Sequence, residues 1–492
     1  MNDPRPLICL LVPLLAVIGI ANSAKRPNLR EGITFVAAGI NLALVLSMLP
    51  IVLGGETVNF TFVSEILPGV DLGLRIDALG MIFALVASTL WIVTTIFAIG
   101  YMRGLAEHAQ SRFFAYFAVA IAMTLGVAFS GNLLTLYVFY ELLSLSTYPL
   151  VTHHQDGEAR GGGRKYLTYL MATSIGLALP ALVIVYSYTG NLDFAAGGMV
   201  AGKVPDAGIT PLLCMLVFGF AKAGIMPFHA WLPGAMVAPT PVSALLHAVA
   251  VVKVGVFCVL RVFTGVFGMT LPSLANAAPI IATVASVTII VASLIAMSQD
   301  NLKRLLAYST IGQLSYIVLG AALLTPLGLT GSFLHIAMHA FGKITLFFVA
   351  GSIFVGTGCK YISQIHGLGR KQPILMGAFA IGALSVIGLP PAGGFLSKWY
   401  LVRGTLDGGN TIFMAVFLVS SFLNAVYFLP IIYNSFFREP SEELKVPGAE
   451  SATWWCCWLA PAVTATISLV LLFWQGPFLK LAELAVSQFF PQ

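Results

Sequence analysis

The sequence carries little charge. Only 9% of its 492 residues are Asp, Glu, Lys or Arg, whereas a soluble domain carries about 25%. This shortage excludes a soluble globular protein. The few cations are also scattered along the chain, whereas a nucleic-acid-binding surface clusters its lysines and arginines on one water-facing side. We therefore expect no nucleic-acid partner.

The usual cofactor motifs are missing as well. The sequence has no Walker A loop, no GxGxxG fingerprint and no HExxH pair, and its GK dipeptide at residues 342–343 is not followed by Ser or Thr. The six cysteines form no CxxC pair and are interpreted as small hydrophobic residues. We expect neither a metal nor another cofactor.

Hydrophobic residues fill most of the remaining sequence, at 58% of the chain. They form runs of roughly twenty residues, long enough to cross a bilayer core of about 30 Å as helices. The expected fold is an all-α polytopic membrane protein with about fourteen transmembrane helices. The predicted spans lie near residues 7–24, 32–53, 76–101, 111–129, 132–152, 165–189, 209–230, 240–263, 273–298, 301–323, 328–357, 374–403, 411–437 and 454–476. The apolar tail after them is suited to lying along the membrane surface.

The loop cations predict the orientation. Lys25, Arg26 and Arg30 follow the first apolar run instead of preceding it, which favours a membrane span over a cleaved signal peptide. Placing both termini outside puts most loop lysines and arginines on the inner side, as the positive-inside rule requires. We expect a multi-pass protein of the cell's inner (plasma) membrane with both termini outside.

Two predicted spans are interrupted beside a lysine. The seventh runs into FAKAGIMPFHAWLPGAMVAPTP, where prolines follow Lys222, and the twelfth contains LPPAGGFLSKWYL, where Pro390 and Pro391 precede Lys398. Proline removes a backbone donor and breaks a helix. Broken helices 7 and 12 therefore indicate an ion or substrate path near the middle of the membrane.

The positions of the two breaks suggest an internal duplication. Spans four to eight (residues 111–263) and nine to thirteen (273–437) each have the broken helix in fourth place. Because five is an odd number, the second five-helix repeat is inverted relative to the first. Three N-terminal helices (1–110) and a C-terminal segment with helix 14 (438–492) complete the predicted domains.

Several ionisable residues lie inside the spans. A charge at a helix centre costs roughly 2.5 to 3.5 kcal/mol on insertion scales, so such residues indicate function. Glu141 is predicted to pair with Lys222, with a purely structural salt bridge as the alternative. Arg261 and Lys480, near span ends, are expected to extend to the membrane surface along their flexible stems.

A stripe of titratable residues marks the eleventh span. His335, His339 and Lys343 recur every four residues and so share one helix face. Zinc binding by the two histidines is disfavoured because a third ligand is lacking. We predict a proton pathway through both repeats, with His247 bridging two lysines, that consists of Glu141, Lys222, His247, Lys253, His335, His339, Lys343 and Lys398.

Three long motifs in this sequence resemble a known family. FAKAGIMPFHAWLPGAMVAPTPVSALLHA, SQDNLKRLLAYSTIGQLSYI and GLPPAGGFLSKWYL are similar to the antiporter-like subunits of respiratory complex I and of Mrp-type multisubunit cation/proton antiporters. The resemblance covers about residues 70 to 435 and is strongest to the D-type subunit of the Mrp antiporters. It implies a fold of fourteen helices with two inverted repeats, and proton-carrying roles for Glu141, Lys222, Lys253 and Lys398.

The resemblance also implies a function. We expect a proton-translocating subunit of a monovalent cation (Na+)/H+ antiporter, a transporter rather than an enzyme, surrounded by lipid and by other membrane subunits of a hetero-oligomer. The alternative is a proton-pumping subunit of complex I (NADH:quinone oxidoreductase) or of a membrane-bound hydrogenase. A standalone carrier of an organic solute is a third class, which predicts a pocket for one molecule instead of a series of lysines.

Overall fold

The computed structural model describes residues 2–440 and 452–490, except for the side chain of His247. Helices dominate these residues because a bilayer offers the backbone no hydrogen-bond partners, so apolar segments must satisfy their own. The α-helices are α1 Arg5–Asn22, α2 Pro27–Leu53, α3 Ala78–Gly104, α4 Gln110–Ala128, α5 Leu133–Val151, α6 Gly157–Thr173, α7 Leu179–Thr189, α8 Asp206–Gly219, α9 Trp231–Gly234, α10 Thr240–Ala244, α11 Val251–Arg261, α12 Pro272–Met297, α13 Leu302–Ala322, α14 Pro326–Thr357, α15 Leu368–Lys371, α16 Pro373–Ile387, α17 Gly394–Asp407, α18 Thr411–Phe437, α19 Trp454–Phe473 and α20 Gly476–Ser487.

The predicted polytopic helical fold is confirmed. Within the described residues, eleven helices are long and apolar enough to cross a membrane, when α6 and α7 are counted as one helix joined by a π-helical turn. They coincide with eleven of the predicted spans. The other three predicted spans, the seventh, eighth and twelfth, correspond to interrupted helices. The division into two inverted repeats, with its domain boundaries, stays a prediction.

Both predicted helix breaks are present. The seventh span is α8 followed by a short 3-10 turn at Ala221–Ala223, and the twelfth is divided into α16 and α17 around Pro390 and Pro391. The eighth span was predicted as one continuous helix, and that detail is wrong. It consists of α10, a π-helical turn at Leu245–Val249, and α11. No glycine or proline lies within that turn to signal the interruption.

A β-hairpin precedes α3 and was not foreseen. Strands β1 (Val58–Leu67) and β2 (Val70–Ile76) pair antiparallel, with Val58 opposite Ile76. The signal for it was present in a run of β-branched and aromatic residues followed by Pro68 and Gly69.

The C-terminal tail also adopts a packed structure. It forms α20, whose buried side chains include Leu481, Ala482 and Ala485. These pack against α3 and α14, so one face of the tail contacts the helical bundle.

Candidate functional site

The site is built around α14. Every residue of this helix from Gly328 to Ile353 is buried, because α3, α13, α16, α17 and α19 pack around it. The predicted stripe is present: His335, His339 and Lys343 are each at most 2% exposed. Three titratable side chains on one helix therefore face the protein interior.

The stripe makes direct contact with a lysine of the first predicted repeat. The ammonium nitrogen of Lys253, on α11, lies 2.7 Å from Nδ1 of His339. The His339 ring stacks on the His335 ring, with centroids 5.6 Å apart and planes 24° apart. The structure thus brings Lys253, His339 and His335 together in one row.

The row continues to α17. Nδ1 of His335 lies 2.8 Å from Oγ of Ser397, the residue before Lys398. The Tyr316 ring stacks on His335 at 5.8 Å, and the Lys398 ammonium lies 4.5 Å from the centroid of the same Tyr316 ring. Lys398 Nζ also donates to Ser421 Oγ at 3.2 Å. A row of contacting side chains, joined partly by hydrogen bonds and partly by ring stacking, therefore runs from Lys253 to Lys398.

The helix break supplies one of the groups that hold Lys398. Its ammonium donates to the carbonyl oxygen of Ile387, the last residue of α16, at 3.1 Å. A continuous helix would use that carbonyl in its own backbone hydrogen bonds, whereas a helix end leaves its last carbonyls free. The interruption at Pro390 and Pro391 is thus what allows a lysine to be buried here.

Lys343 occupies a separate branch. Its ammonium donates to Ser309 Oγ at 2.8 Å, and the same hydroxyl accepts a hydrogen bond from Tyr427 at 3.0 Å. The described structure shows no hydrogen bond from Lys343 to the other predicted pathway residues. The stripe is therefore one helix face that serves two hydrogen-bonded clusters.

Lys222 lies in a third cluster, in the 3-10 turn after α8. Its ammonium donates to the carbonyl of Tyr140 at 2.6 Å and to Ser144 Oγ at 2.7 Å. α11 packs directly on this turn, since a Cβ placed on Gly255 would lie 2.1 Å from the carbonyl carbon of Lys222. Lys222 and Lys253 therefore sit on adjacent elements. The side chain of His247, predicted to bridge them, lies outside the described part of the structure.

The predicted ion pair between Glu141 and Lys222 is not formed. Both carboxylate oxygens of Glu141 are buried, and neither has a hydrogen-bond partner among the described residues. The reason is the geometry of α5. Tyr140 and Ser144 are one turn apart and face Lys222, whereas Glu141 is rotated by about 100° from Tyr140 and lies beside the exposed Leu142.

Arg261 also differs from its prediction. It does not extend to the membrane surface but is 2% exposed and binds Asp77 through two hydrogen bonds of 2.6 and 2.7 Å. Burial alone raises the pKa of the Asp77 carboxyl, but the charge and hydrogen bonds of Arg261 outweigh it, so the pKa lies below its ordinary value. Lys480, in contrast, is exposed on α20 as expected.

A cavity opens at the end of the bundle that is predicted to face inward. It has a volume of about 830 Å³ and is lined by both signs of charge, including Glu107, His154, Lys303 and Lys360. A hydrogen bond of 3.2 Å joins His154 and Glu107. This bond lowers the pKa of Glu107 and raises the pKa of His154.

Sequence reasoning missed the uncharged members of the site. Ser309, Gln313 and Tyr316 bind Lys343, His335 and Lys398 respectively. All three lie on α13 with spacings of four and three residues, which places them on one helix face. That polar stripe was readable from the sequence.

Two family models match the chain. Residues 130–424 match the model described as NADH:quinone oxidoreductase/Mrp antiporter, TM. Residues 68–114 match the N-terminus of NADH-ubiquinone oxidoreductase (complex I), chain 5.

Individual relatives come from both branches. NADH-quinone oxidoreductase subunit N of Desulforudis audaxviator is 34% identical over 470 residues, covering 92% of this chain and 89% of the relative. The A/B subunit of a probable K(+)/H(+) antiporter of Rhizobium meliloti is 31% identical over 476 residues, covering 93% of this chain and 46% of the relative. The chain therefore spans about half the length of that second relative.

Solved structures share the fold. A chain in the structure of the Mrp complex from Dietzia sp. DQ12-45-1b matches with a TM-score of 0.87 and 23% identity, over 99% of this chain and 97% of that one. A chain in the structure of the membrane-bound sulfane sulfur reductase, an archaeal respiratory membrane complex, also matches with a TM-score of 0.87 and 23% identity, over 99% and 98%.

Proposed function

The chain belongs to the NADH:quinone oxidoreductase/Mrp antiporter family, and from this premise we propose that it conducts protons as one subunit of a multisubunit monovalent cation/proton antiporter. The observation that supports this most strongly is the 2.7 Å contact between Lys253 and His339. Two titratable nitrogens at this distance share one hydrogen, so a proton can pass between them without crossing a gap.

The proposed path continues along the row. A proton on His339 passes to His335 by way of water at the ring nitrogens, because stacked ring faces neither donate nor accept a proton. From His335 it moves through Ser397 towards Lys398, whose ammonium is joined to the Tyr316 hydroxyl by Ser421. Each of these groups carries a hydrogen-bonding nitrogen or oxygen. Because charges repel strongly in a buried site, a proton that enters at one end favours the release of another at the far end.

Glu141, Lys222, His247 and Lys343 are proposed to feed this row. Lys222 is proposed to come before Lys253 because its turn packs against the backbone of α11, the helix that carries Lys253. The unpartnered carboxylate of Glu141 beside the exposed face of α5 suits a proton entry point from a neighbouring subunit. Lys343, which is hydrogen-bonded to Ser309, itself bonded to Tyr427, is suited to exchange protons with solvent on one side of the membrane.

The wider setting is also part of the proposal. We infer that the chain lies in the inner (plasma) membrane with both termini outside and that its partners are other membrane subunits. The exchanged ion is Na+ or another monovalent cation, driven by the membrane potential at about 2.3 kcal/mol per charge per 100 mV. This makes the chain a transporter subunit. Its closer likeness to the D-type subunit of the Mrp antiporters stays a prediction.

A second function has its own support. The 34% identity to a quinone oxidoreductase subunit N extends over most of both chains, which favours a proton-pumping subunit of a redox complex. In that case a hydrophilic arm on other chains supplies the energy, while the proton path within this chain is the same.

One experiment separates the two functions. The chain is purified with its native partners, the copurifying chains are identified, and the assembly is placed in vesicles that report internal pH. An antiporter acidifies or alkalinises the vesicles in response to a Na+ or K+ gradient alone. A redox pump requires an electron donor and acceptor and ignores the cation gradient. If protons move under neither of these two conditions, the proposal is contradicted.

A further inference from the structure

Four residues at the inward-facing end form a compact group outside the proton pathway. Glu107 and His108 lie in the turn between α3 and α4, and His153 and His154 follow α5. Oε2 of Glu107 is 3.9 Å from Nδ1 of His108 and 3.9 Å from Nε2 of His153. One ligand atom from each of Glu107, His108 and His153 lies within 4.8 Å of the others. We call these three residues the His–Glu cluster.

His153 is the unusual member of the cluster. Its side chain is fully buried, and neither ring nitrogen has a hydrogen-bond partner among the described residues. Buried polar groups are nearly always paired, because an unpaired one costs its full desolvation energy. A ligand that accepts the lone pair of Nε2 would remove the part of this cost that falls on that nitrogen, and Nε2 is the atom directed at Glu107.

The second histidine is oriented for the same task. Nε2 of His108 lies 3.0 Å from the backbone carbonyl oxygen of His153. The carbonyl can only accept, so this nitrogen carries the hydrogen and Nδ1 keeps its lone pair. Arg112 donates to the same carbonyl at 2.8 Å, which fixes the loop. An imidazole whose other nitrogen donates to a backbone carbonyl is the usual arrangement of a metal-binding histidine.

We propose that Glu107, His108 and His153 bind a divalent transition-metal ion of the Zn2+ type, with an open fourth position. Two imidazole nitrogens and one carboxylate oxygen are ligands that zinc accepts at about 2.0 to 2.2 Å. In a tetrahedral site, ligand atoms lie about 3.4 Å apart. The two 3.9 Å separations from Glu107 therefore close by about half an ångström, and the two histidine nitrogens, which lie within 4.8 Å of each other, approach by side-chain rotation as the ion binds. Nitrogen ligands argue against Ca2+ and Mg2+, which prefer oxygen.

His154 keeps Glu107 in place for the ion. Its hydrogen bond reaches Oε1 and leaves Oε2 facing His108 and His153.

The site lies beside the large cavity at the inward-facing end. Glu107 and His154 line this cavity together with Lys303. A bound divalent ion adds positive charge to the cavity wall and joins the α3–α4 turn to the end of α5. If the cavity admits protons and cations, as the proposed function requires, metal binding slows their entry.

Metal binding is measured first, in an assay that does not depend on transport. The detergent-solubilised assembly, purified through a tag that contains no histidine, is stripped with chelator and titrated with Co2+ and Zn2+. We expect one ion per chain, and Co2+ should give the visible absorption of a four-coordinate site with nitrogen ligands. Zn2+ should displace the Co2+ and remove the absorption.

Three variants locate the ion. His108→Ala and Glu107→Gln should each weaken Zn2+ binding by roughly 100-fold or more, because even an outer partner of a metal ligand is worth about 10- to 100-fold. His108 is half exposed, so its replacement should leave folding intact. His366→Ala, a histidine in another loop, is the matched control and should bind as the unmodified chain does. Unchanged binding in His108→Ala and Glu107→Gln, or no bound ion at all, would overturn the site.

The effect on transport is a separate measurement. In vesicles, Zn2+ added to the side of the cavity should inhibit proton exchange by the unmodified assembly, and Glu107→Gln should remove this inhibition. If Zn2+ binds without inhibiting proton exchange, the blocking role is contradicted but the metal site is still supported. If the assembly exchanges no protons even without metal, the proposed function fails, while the Co2+ result still decides the metal site.

Discussion

The four buried lysines differ in what holds the ammonium group. Lys222, Lys343 and Lys398 each donate to a backbone carbonyl and a serine hydroxyl. Among the described residues, Lys253 alone of the four has a histidine, His339, as its partner. Hydroxyls and carbonyls can stabilise a charge, whereas an imidazole can also accept the proton. The Lys253–His339 pair is therefore where proton transfer between side chains is most direct.

Loss of either member of this pair should stop exchange. We expect Lys253→Met and His339→Ala each to lower cation-driven proton exchange on the order of 100-fold, the usual value of a positioned proton-transfer group. The double variant should be no worse than either single one, because both remove the same step. Exchange is measured in vesicles, with Lys480→Ala, on the exposed side of α20, as the control. Additive, mild losses would contradict a shared proton.

The Asp77–Arg261 pair should instead govern stability. Asp77→Asn keeps the hydrogen bond from Gly80 at the start of α3 but leaves the Arg261 charge buried without compensation, which typically costs about 3 to 5 kcal/mol. Thermal unfolding in detergent measures this loss. Asp77→Asn combined with Arg261→Met, which removes both charges, should recover part of it. If the single variant is as stable as the unmodified chain, the pair is not structural.

The same pair predicts a dependence on pH. The pKa of Asp77 is lowered in the folded chain, so its contribution to stability is present above about pH 4, the ordinary titration range of Asp, and is lost as the pH falls below it. Asp77→Asn should lack this acid-sensitive component. Parallel acid-unfolding curves for the two proteins would contradict the assignment.

Sequence reasoning identified the charged residues of the site but not all their partners. His335, His339 and Lys343 were placed correctly because helix spacing alone determines a shared face. The pairing of Glu141 with Lys222 was wrong because it depended on which side of α5 meets the 3-10 turn. That is a tertiary property. Tyr140 and Ser144 bind Lys222 instead, and serine or tyrosine in an apolar run does not by itself reveal such a role.

At the level of helices, close approach at glycines holds the broken segments in place. A Cβ on Gly394, at the start of α17, would lie 1.8 Å from the carbonyl oxygen of Ser385 on α16. Glycine therefore allows α17 to pack against the end of α16. This contact positions Lys398 next to the carbonyl of Ile387.

Filling that space should disturb both packing and transport. Gly394→Ala forces α17 away from α16, and we expect a stability loss of about 1 to 3 kcal/mol, typical of overpacking, together with reduced exchange. Gly377→Ala is the matched control on α16, since a Cβ there meets nothing within 4 Å and alanine favours the helix by up to about 1 kcal/mol. Equal behaviour of the two variants in thermal unfolding and vesicle exchange would reject the role of Gly394.

The helices were more predictable than the irregular segments between them. Long apolar runs with prolines at the breaks identified the membrane spans and the interruptions at α8 and α16–α17, because the bilayer imposes length and hydrophobicity directly. The π-helical turn at Leu245–Val249 was missed because it inserts one extra residue into a helix without a characteristic sequence. The hairpin β1–β2 was missed because its strands are short and β1 is largely exposed, so they produce no long apolar run.

At the level of the whole molecule, orientation can be tested with two cysteine variants. Ser64→Cys places a thiol in the exposed hairpin, and Lys25→Cys places one in the exposed turn between α1 and α2. With both termini outside, a membrane-impermeant thiol reagent should label Ser64→Cys in intact cells and Lys25→Cys only after the membrane is opened. The unmodified chain, with its own cysteines, sets the background. The reverse pattern would invert the predicted topology.

The large cavity at one end of the bundle has an electrical consequence. It reaches Tyr308, six residues into α13 and so about 9 Å below the helix start. Polar-lined space of this size fills with water, which carries the potential of that compartment inward. With the start of α13 at the edge of the bilayer core, the voltage falls across about 20 Å of insulating protein instead of the roughly 30 Å of the whole core. The same membrane potential acting over the shorter distance gives an electric field about 1.5 times as strong. A charge that moves along the membrane normal between the buried lysines experiences this stronger field.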